Sequence, residues 1–76
     1  NMIKLPILHH TDESSSLLSL GVRNSLDQCE INDVYFLNIN AIAKYMENGV
    51  EYTEVFSNGE NFICDLPLAE VIKLLK

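Results

Sequence analysis

Asn58-Gly59 stands between two runs of β character, residues 50–56 and 60–65. An Asn-Gly pair favours a two-residue type I′ turn, because both central residues of that turn need positive φ. The pair commits the second half of the chain to an antiparallel hairpin, and the other elements must be arranged around it. Asp65 or Leu66 then caps a last helix, with Pro67 in its first turn, where a missing N–H costs nothing. Leu68, Val71, Ile72 and Leu75 form one apolar stripe backed by Leu74, while Glu70, Lys73 and Lys76 face water. The stripe predicts a helix sealed against the hairpin.

The first half is read from alternation. Residues 3–8 place Ile3, Leu5 and Ile7 on one face and predict a short strand. Pro6 cannot donate to a ladder, so an edge position is expected. Residues 9–16 are polar and read as a loop. Residues 17–22 fit a strand or one helical turn, since periodicity does not decide so short a run, and residues 23–28 have turn character. Cys29-Glu30-Ile31 opens a strand that Asn32-Asp33 interrupts. Residues 34–39 are aromatic and β-branched on both faces, the pattern of a central strand covered on two sides. Asn40 is placed as an N-cap, Ala41, Ile42, Tyr45 and Met46 fall at helical spacing, and Gly49 sits where a C′ glycine belongs. A short helix near 40–48 is expected from this, packing Ile42 and Tyr45 on the sheet. The fold class is α+β: a small antiparallel sheet of four to five short strands, a C-terminal helix packed on it and the short helix near 40–48. Residues 1–76 are expected to form a single small domain, with Asn1 before Met2 read as the remnant of an expression tag.

Composition excludes several classes. The chain is 47% apolar, which argues against wholesale disorder. No apolar run approaches the ~18 residues of a membrane span, and no charged-then-apolar leader is seen. Two cysteines, Cys29 and Cys64, make no disulfide framework and point to reduced thiols in a cytoplasm. Five Lys and Arg against eleven Asp and Glu give a net charge of −6, which repels phosphate and anionic lipid. Burial on folding, on the order of 115 kcal/mol, nearly cancels the ordering cost of so short a chain. A partner subunit or further chain is expected to supply part of the stability.

Candidate chemistry is sparse. His9-His10-Thr11-Asp12-Glu13 gathers two imidazoles and two carboxylates. Adjacent strand residues point to opposite faces, however, and the spacing is not that of a zinc site, so a solvated loop is expected and no metal. Cys29 precedes Glu30 and Cys64 precedes Asp65, neighbours that disfavour a thiolate, so both are read as small core residues. The carboxylate pairs Glu51/Glu54 and Asp12/Glu13 need an enclosed pocket to do acid–base work, and a solvated face is the expectation. No glycine-rich phosphate loop and no Ser/His/Asp arrangement is present, so no enzyme, catalytic residue or cofactor is expected. Lys4, Arg23, Lys44, Lys73 and Lys76 are scattered without aromatic interleaving, which is not a nucleic-acid footprint.

From Asp33 onward the order of parts resembles one family. Asp33-Val34-Tyr35-Phe36-Leu37 resembles the D-I-x-Y-I/F-E strand that opens the LytTR family of bacterial DNA-binding domains. Glu54-Val55-Phe56-Ser57-Asn58-Gly59-Glu60 is similar to that family's D-G or N-G hairpin, and Leu66 to Leu75 to its S-L-x-E-L-x-x-x-L helix. The opening Met2-Ile3-Lys4-Leu5-Pro6 is similar to small stand-alone LytTR-like proteins of bacilli and their phages. The resemblance implies an elongated antiparallel β fold that sets loops into major grooves to control transcription, often as a pair on direct repeats. It implies a DNA contact from a basic or polar residue in the loop after the D-I-x-Y strand, for which Lys44 is the nearest match. The family's second half, with its H-[RK]-S-[YF] block and most of its positive charge, is not in this sequence. This leads to the expectation of an incomplete, N-terminal LytTR-like part.

Two functions follow as expectations. In one, the chain is part of a LytTR-like, cytoplasmic bacterial or prophage transcriptional regulator whose parent protein binds promoter DNA, as a homodimer. In the other, it is a non-enzymatic, acidic protein-interaction or dimerisation module that does not bind DNA.

Overall fold

The computed structural model describes residues 2–10, 26 and 29–76. The expectations for residues 11–25, 27 and 28, including the 17–22 segment and the Asp12/Glu13 pair, lie outside the described residues. Five strands form one antiparallel sheet: β1 (Ile3–His9), β2 (Glu30–Phe36), β3 (Ala41–Glu47), β4 (Val50–Ser57) and β5 (Glu60–Cys64), in the order β2-β1-β5-β4-β3. One helix, α1 (Leu68–Leu75), follows β5. The α+β class with a C-terminal helix is therefore the one the sequence implied.

The β4–β5 hairpin forms as expected. Ser57 pairs with Glu60, and Asn58 and Gly59 take φ of 52° and 80°. The helix expected near 40–48 does not form. Residues 41–47 are β3, paired along their whole length with β4, from Ala41↔Phe56 to Glu47↔Val50. Asn48 and Gly49, with φ of 51° and 77°, make a second turn of the same kind. Gly49 thus closes a hairpin instead of ending a helix. Asn40 caps the Asn58-Gly59 turn rather than a helix: its Oδ1 accepts the Asn58 N–H at 2.9 Å, and its own N–H reaches Phe56 O at 2.8 Å.

Two strand positions also differ from expectation. Residues 34–39 do not make a central strand. β2 lies at one edge of the sheet, and only Phe36 within it is buried. Conversely, β1 is internal despite Pro6. The Asp65 N–H donates to Pro6 O at 2.8 Å, so Pro6 directs its backbone polar groups toward β5. There the ladder is a single bridge, Ile7↔Cys64, and β5 has already ended. The missing N–H faces the carbonyl of Asp65, an exposed residue just past β5, so no rung inside the sheet is lost, and the full β1–β2 ladder runs through the alternate residues.

That single bridge lets the β1–β2 ribbon curl over β4–β5. Leu5, Ile7, Phe36, Val55, Cys64 and Val71 meet in one buried cluster. Cys64 is a core residue as expected. Burial pushes its thiol above the ordinary value of 9.0, with Asp65 adding to the shift and the Leu66 backbone opposing it. Unfolded thiols ionise first, so the stability from keeping Cys64 neutral is complete below about pH 9 and is lost as pH rises through the folded-state value. The expected loss is at most about 1.4 kcal/mol per pH unit. Urea titrations between pH 7 and 11 should show it in the native chain and in Cys29→Ser, but not in Cys64→Ala.

The helix is attached at its start and through Val71. Pro67 is the N-cap, with no side-chain cap of its own, so neither Asp65 nor Leu66 caps it and Pro67 is not inside the first turn. The Leu68 N–H is instead satisfied by Glu51 Oε2 at 2.8 Å, from β4, and Thr53 Oγ1 donates to Leu66 O at 2.8 Å. Of the expected stripe only Val71 is fully buried, while Ile72, Leu74 and Leu75 stay exposed. Glu51→Ala removes the acceptor for a helix-terminal donor and should cost about 0.5–2 kcal/mol, whereas Glu51→Gln keeps an acceptor oxygen and should cost less. Chemical denaturation of both variants checks this.

Candidate interaction surface

The register of β1 and β2 decides which groups face outward. Pro6 points its backbone toward β5, so Pro6 and Asp33 form a pair without ladder hydrogen bonds. By alternation, the N–H and C=O groups of Asn32, Val34 and Phe36 bond β1. Those of Ile31, Asp33 and Tyr35 point away from the sheet, along an open edge. The side chains of the same three residues lie on the face opposite the core.

Among the described residues, nothing covers that outer face, and it is apolar. Met2, Ile31, Tyr35 and Leu37 are 62, 52, 59 and 80% exposed. At about 200 Å² per large side chain, they present roughly 500 Å² of accessible surface, the size of the largest patch on a typical monomer. Lys4 lies across from Tyr35, Leu8 across from Ile31, and Asp33 interrupts the stripe. The opposite edge of the sheet differs. On β3, Ile42, Lys44 and Met46 carry the outward backbone groups, and Lys44 in the middle is the kind of charge that discourages strand addition.

Lys44 is thus on β3, not in the loop after the D-I-x-Y strand, which is β2. Its Nζ lies 3.9 Å from Glu51 Oε1 in a solvent-exposed pair, and Lys73 similarly reaches Glu70 at 3.8 Å. The expected carboxylate pair Glu51/Glu54 is split by the pleat: Glu51 serves the helix start, and Glu54 Oε2 accepts from Asn61 Nδ2 at 2.9 Å on the other face. His9 ends β1 opposite Glu30 in the register, and His10 Nδ1 lies 3.8 Å from Cys29 Sγ. Cys29 is half-buried and outside the core cluster, contrary to its reading as a core residue. Among the described residues, no three His, Cys, Asp or Glu side chains gather to hold a metal ion.

One cleft of about 200 Å³ lies where the end of β2 meets the β4–β5 turn, between Val34, Phe36, Ser57 and Phe62. It is below the ~300 Å³ of ordinary ligand pockets, and Ser57 Oγ there already donates to Asn38 O at 2.7 Å. Among the described residues, no helix is long and apolar enough to cross a membrane.

The sequence did not reveal the outer face. The run Tyr35-Phe36-Leu37 signalled burial on both sides, yet only Phe36 turns inward. The Asp33 interruption was the available signal, because a charge inside an apolar strand is common on an exposed edge. Comparisons with protein-family models, with curated proteins and with solved structures find no match for this chain.

Proposed function

We propose that this chain is a non-enzymatic protein-interaction module whose working surface is the outer face and open edge of β1–β2. One observation carries the reading. Ile31 and Tyr35 offer exposed apolar side chains and backbone groups that no described strand pairs, with Met2 and Leu37 extending the patch. Strand addition uses this combination: main-chain hydrogen bonds give affinity and alternate side chains give specificity. The net charge of −6 keeps such a surface away from nucleic acid and anionic lipid. A photo-crosslinking amino acid at Leu37 or Tyr35 tests the proposal in cells of the source organism. Protein adducts are expected from these positions and not from Asn61, exposed on β5. Adducts no more abundant than at Asn61 would remove the reading.

A second reading, transcriptional control by a LytTR-like parent protein, is favoured by one feature. The strand, Asn58-Gly59 turn, strand and helix on which that resemblance rests occur in order as β4, β5 and α1. DNA contacts would be made chiefly to phosphate, so binding should fall steeply with salt. A low-salt gel shift on a direct-repeat promoter, using a chain extended past Lys76, is the test. Absence of retardation would end this reading.

A further inference from the structure

We infer that the partner of the β2 edge is a second copy of this chain, added antiparallel about a twofold axis at Val34. The inference rests on the interaction reading above and names its occupant. A twofold pairing of one edge with itself is self-complementary and closes at two copies. Only certain registers set the outward-bonding residues opposite one another. A twofold at Asp33 would place two carboxylates face to face, and those at Asn32 and Tyr35 would set Asp33 against Ile31 and Leu37. The twofold at Val34 opposes Asp33 to the second copy's Tyr35, and Ile31 to its Leu37, the residue just past β2. Each Asp33–Tyr35 pair then exchanges two N–H···O bonds.

The rows across four strands then match in chemistry. Leu8 and Ile31 are paired within one copy, and the row runs on toward Leu37, just past β2, and Met2, just before β1, of the other, so it is apolar throughout. The next row runs from Pro6 and Asp33 to Tyr35 and Lys4 of the other copy. Lys4 is thereby drawn into line with the opposite Asp33, and no like charges face each other on this surface. Edge pairing covers only part of the exposed patch, so the association belongs to the weak class below about 1,200 Å².

Light scattering across concentration tests this. The native chain is expected to show dimer mass near 500 µM and monomer mass near 5 µM, a span suited to weak interfaces. Asp33→Pro should remain monomeric throughout. It deletes an outward N–H and leaves the β1–β2 ladder intact, because Asp33 donates nothing to β1; an unchanged melting curve for dilute protein verifies this. Asp33→Asn should still dimerise. In a Cys29→Ser background, Asp33→Cys mixed with Tyr35→Cys should give a disulfide-linked pair on oxidation, and Asp33→Cys alone should not.

Several results would overturn the inference. Mass climbing beyond two copies would mean head-to-tail pairing of β2 with β3. A dimer that survives Asp33→Pro would mean stacked faces instead of paired edges. Linkage of Asp33→Cys with itself would move the axis off Val34. A chain monomeric at 500 µM whose Leu37 crosslinks to a different protein would end self-pairing and leave the interaction reading standing, whereas no crosslink at all would end both.

Discussion

Phe36→Ala is expected to lower the unfolding free energy by about 3–5 kcal/mol, the range for truncating a buried aromatic residue. Phe36 closes β2 and is 4% exposed. Its ring meets Phe62 of β5 edge-on, with centroids 5.2 Å apart and planes at 78°. In a flat sheet β1 would separate these two strands. They touch because β1 and β5 share only the bridge Ile7↔Cys64 and the ribbon curls over. The ring pair is thus the clasp between the two halves of the sheet, and its loss enlarges the cleft that Phe36 and Phe62 already line. A double-mutant cycle with Phe62→Ala should give a coupling of about 0.5–1.5 kcal/mol beyond buried area. A total loss under about 1 kcal/mol in urea would mean that the ribbon is not held this way.

Val71→Asp should release the helix. Val71 is the only fully buried residue of α1, and eight residues are too few to hold a helix alone. A carboxylate at that position would sit in the cluster of Leu5, Ile7, Phe36, Val55 and Cys64, and burying it there costs more than undocking. Two anchors would remain, Glu51 on Leu68 and Thr53 on Leu66, both before or at the first turn. The amides of residues 72–75 should therefore exchange within about tenfold of unstructured rates, while those of β4 and β5 facing one another stay protected. Global unfolding of the sheet in this variant would show instead that the helix is integral to the core.

The hairpin at Asn58-Gly59 was legible because turn chemistry is local: positive φ is required at two residues, and Asn-Gly supplies it. The same logic applied to Asn48-Gly49, but Ala41, Ile42, Tyr45 and Met46 also fit a helical face, and a glycine after them fits a helix end. Over seven residues the two periods are not separable, and pairing with β4 decided between them. Pro6 misled for a different reason. The rule about edges concerns a missing donor, and β1 directs that gap toward the side where its ladder is one bridge long. The interaction surface was illegible because alternation reports which residues share a face, not whether anything covers it. Tyr35 and Leu37 look like core residues until β2 is known to be at the edge.

Amide hydrogen exchange along β2, followed as a function of protein concentration, tests the central claim most directly. The amides of Asn32, Val34 and Phe36, bonded to β1, should be protected at every concentration and serve as the internal reference. Those of Ile31, Asp33 and Tyr35 should exchange rapidly in dilute protein and slow at least tenfold when it is concentrated. Rapid exchange of these three amides at every concentration, beside a protected reference set, would contradict self-pairing at this edge.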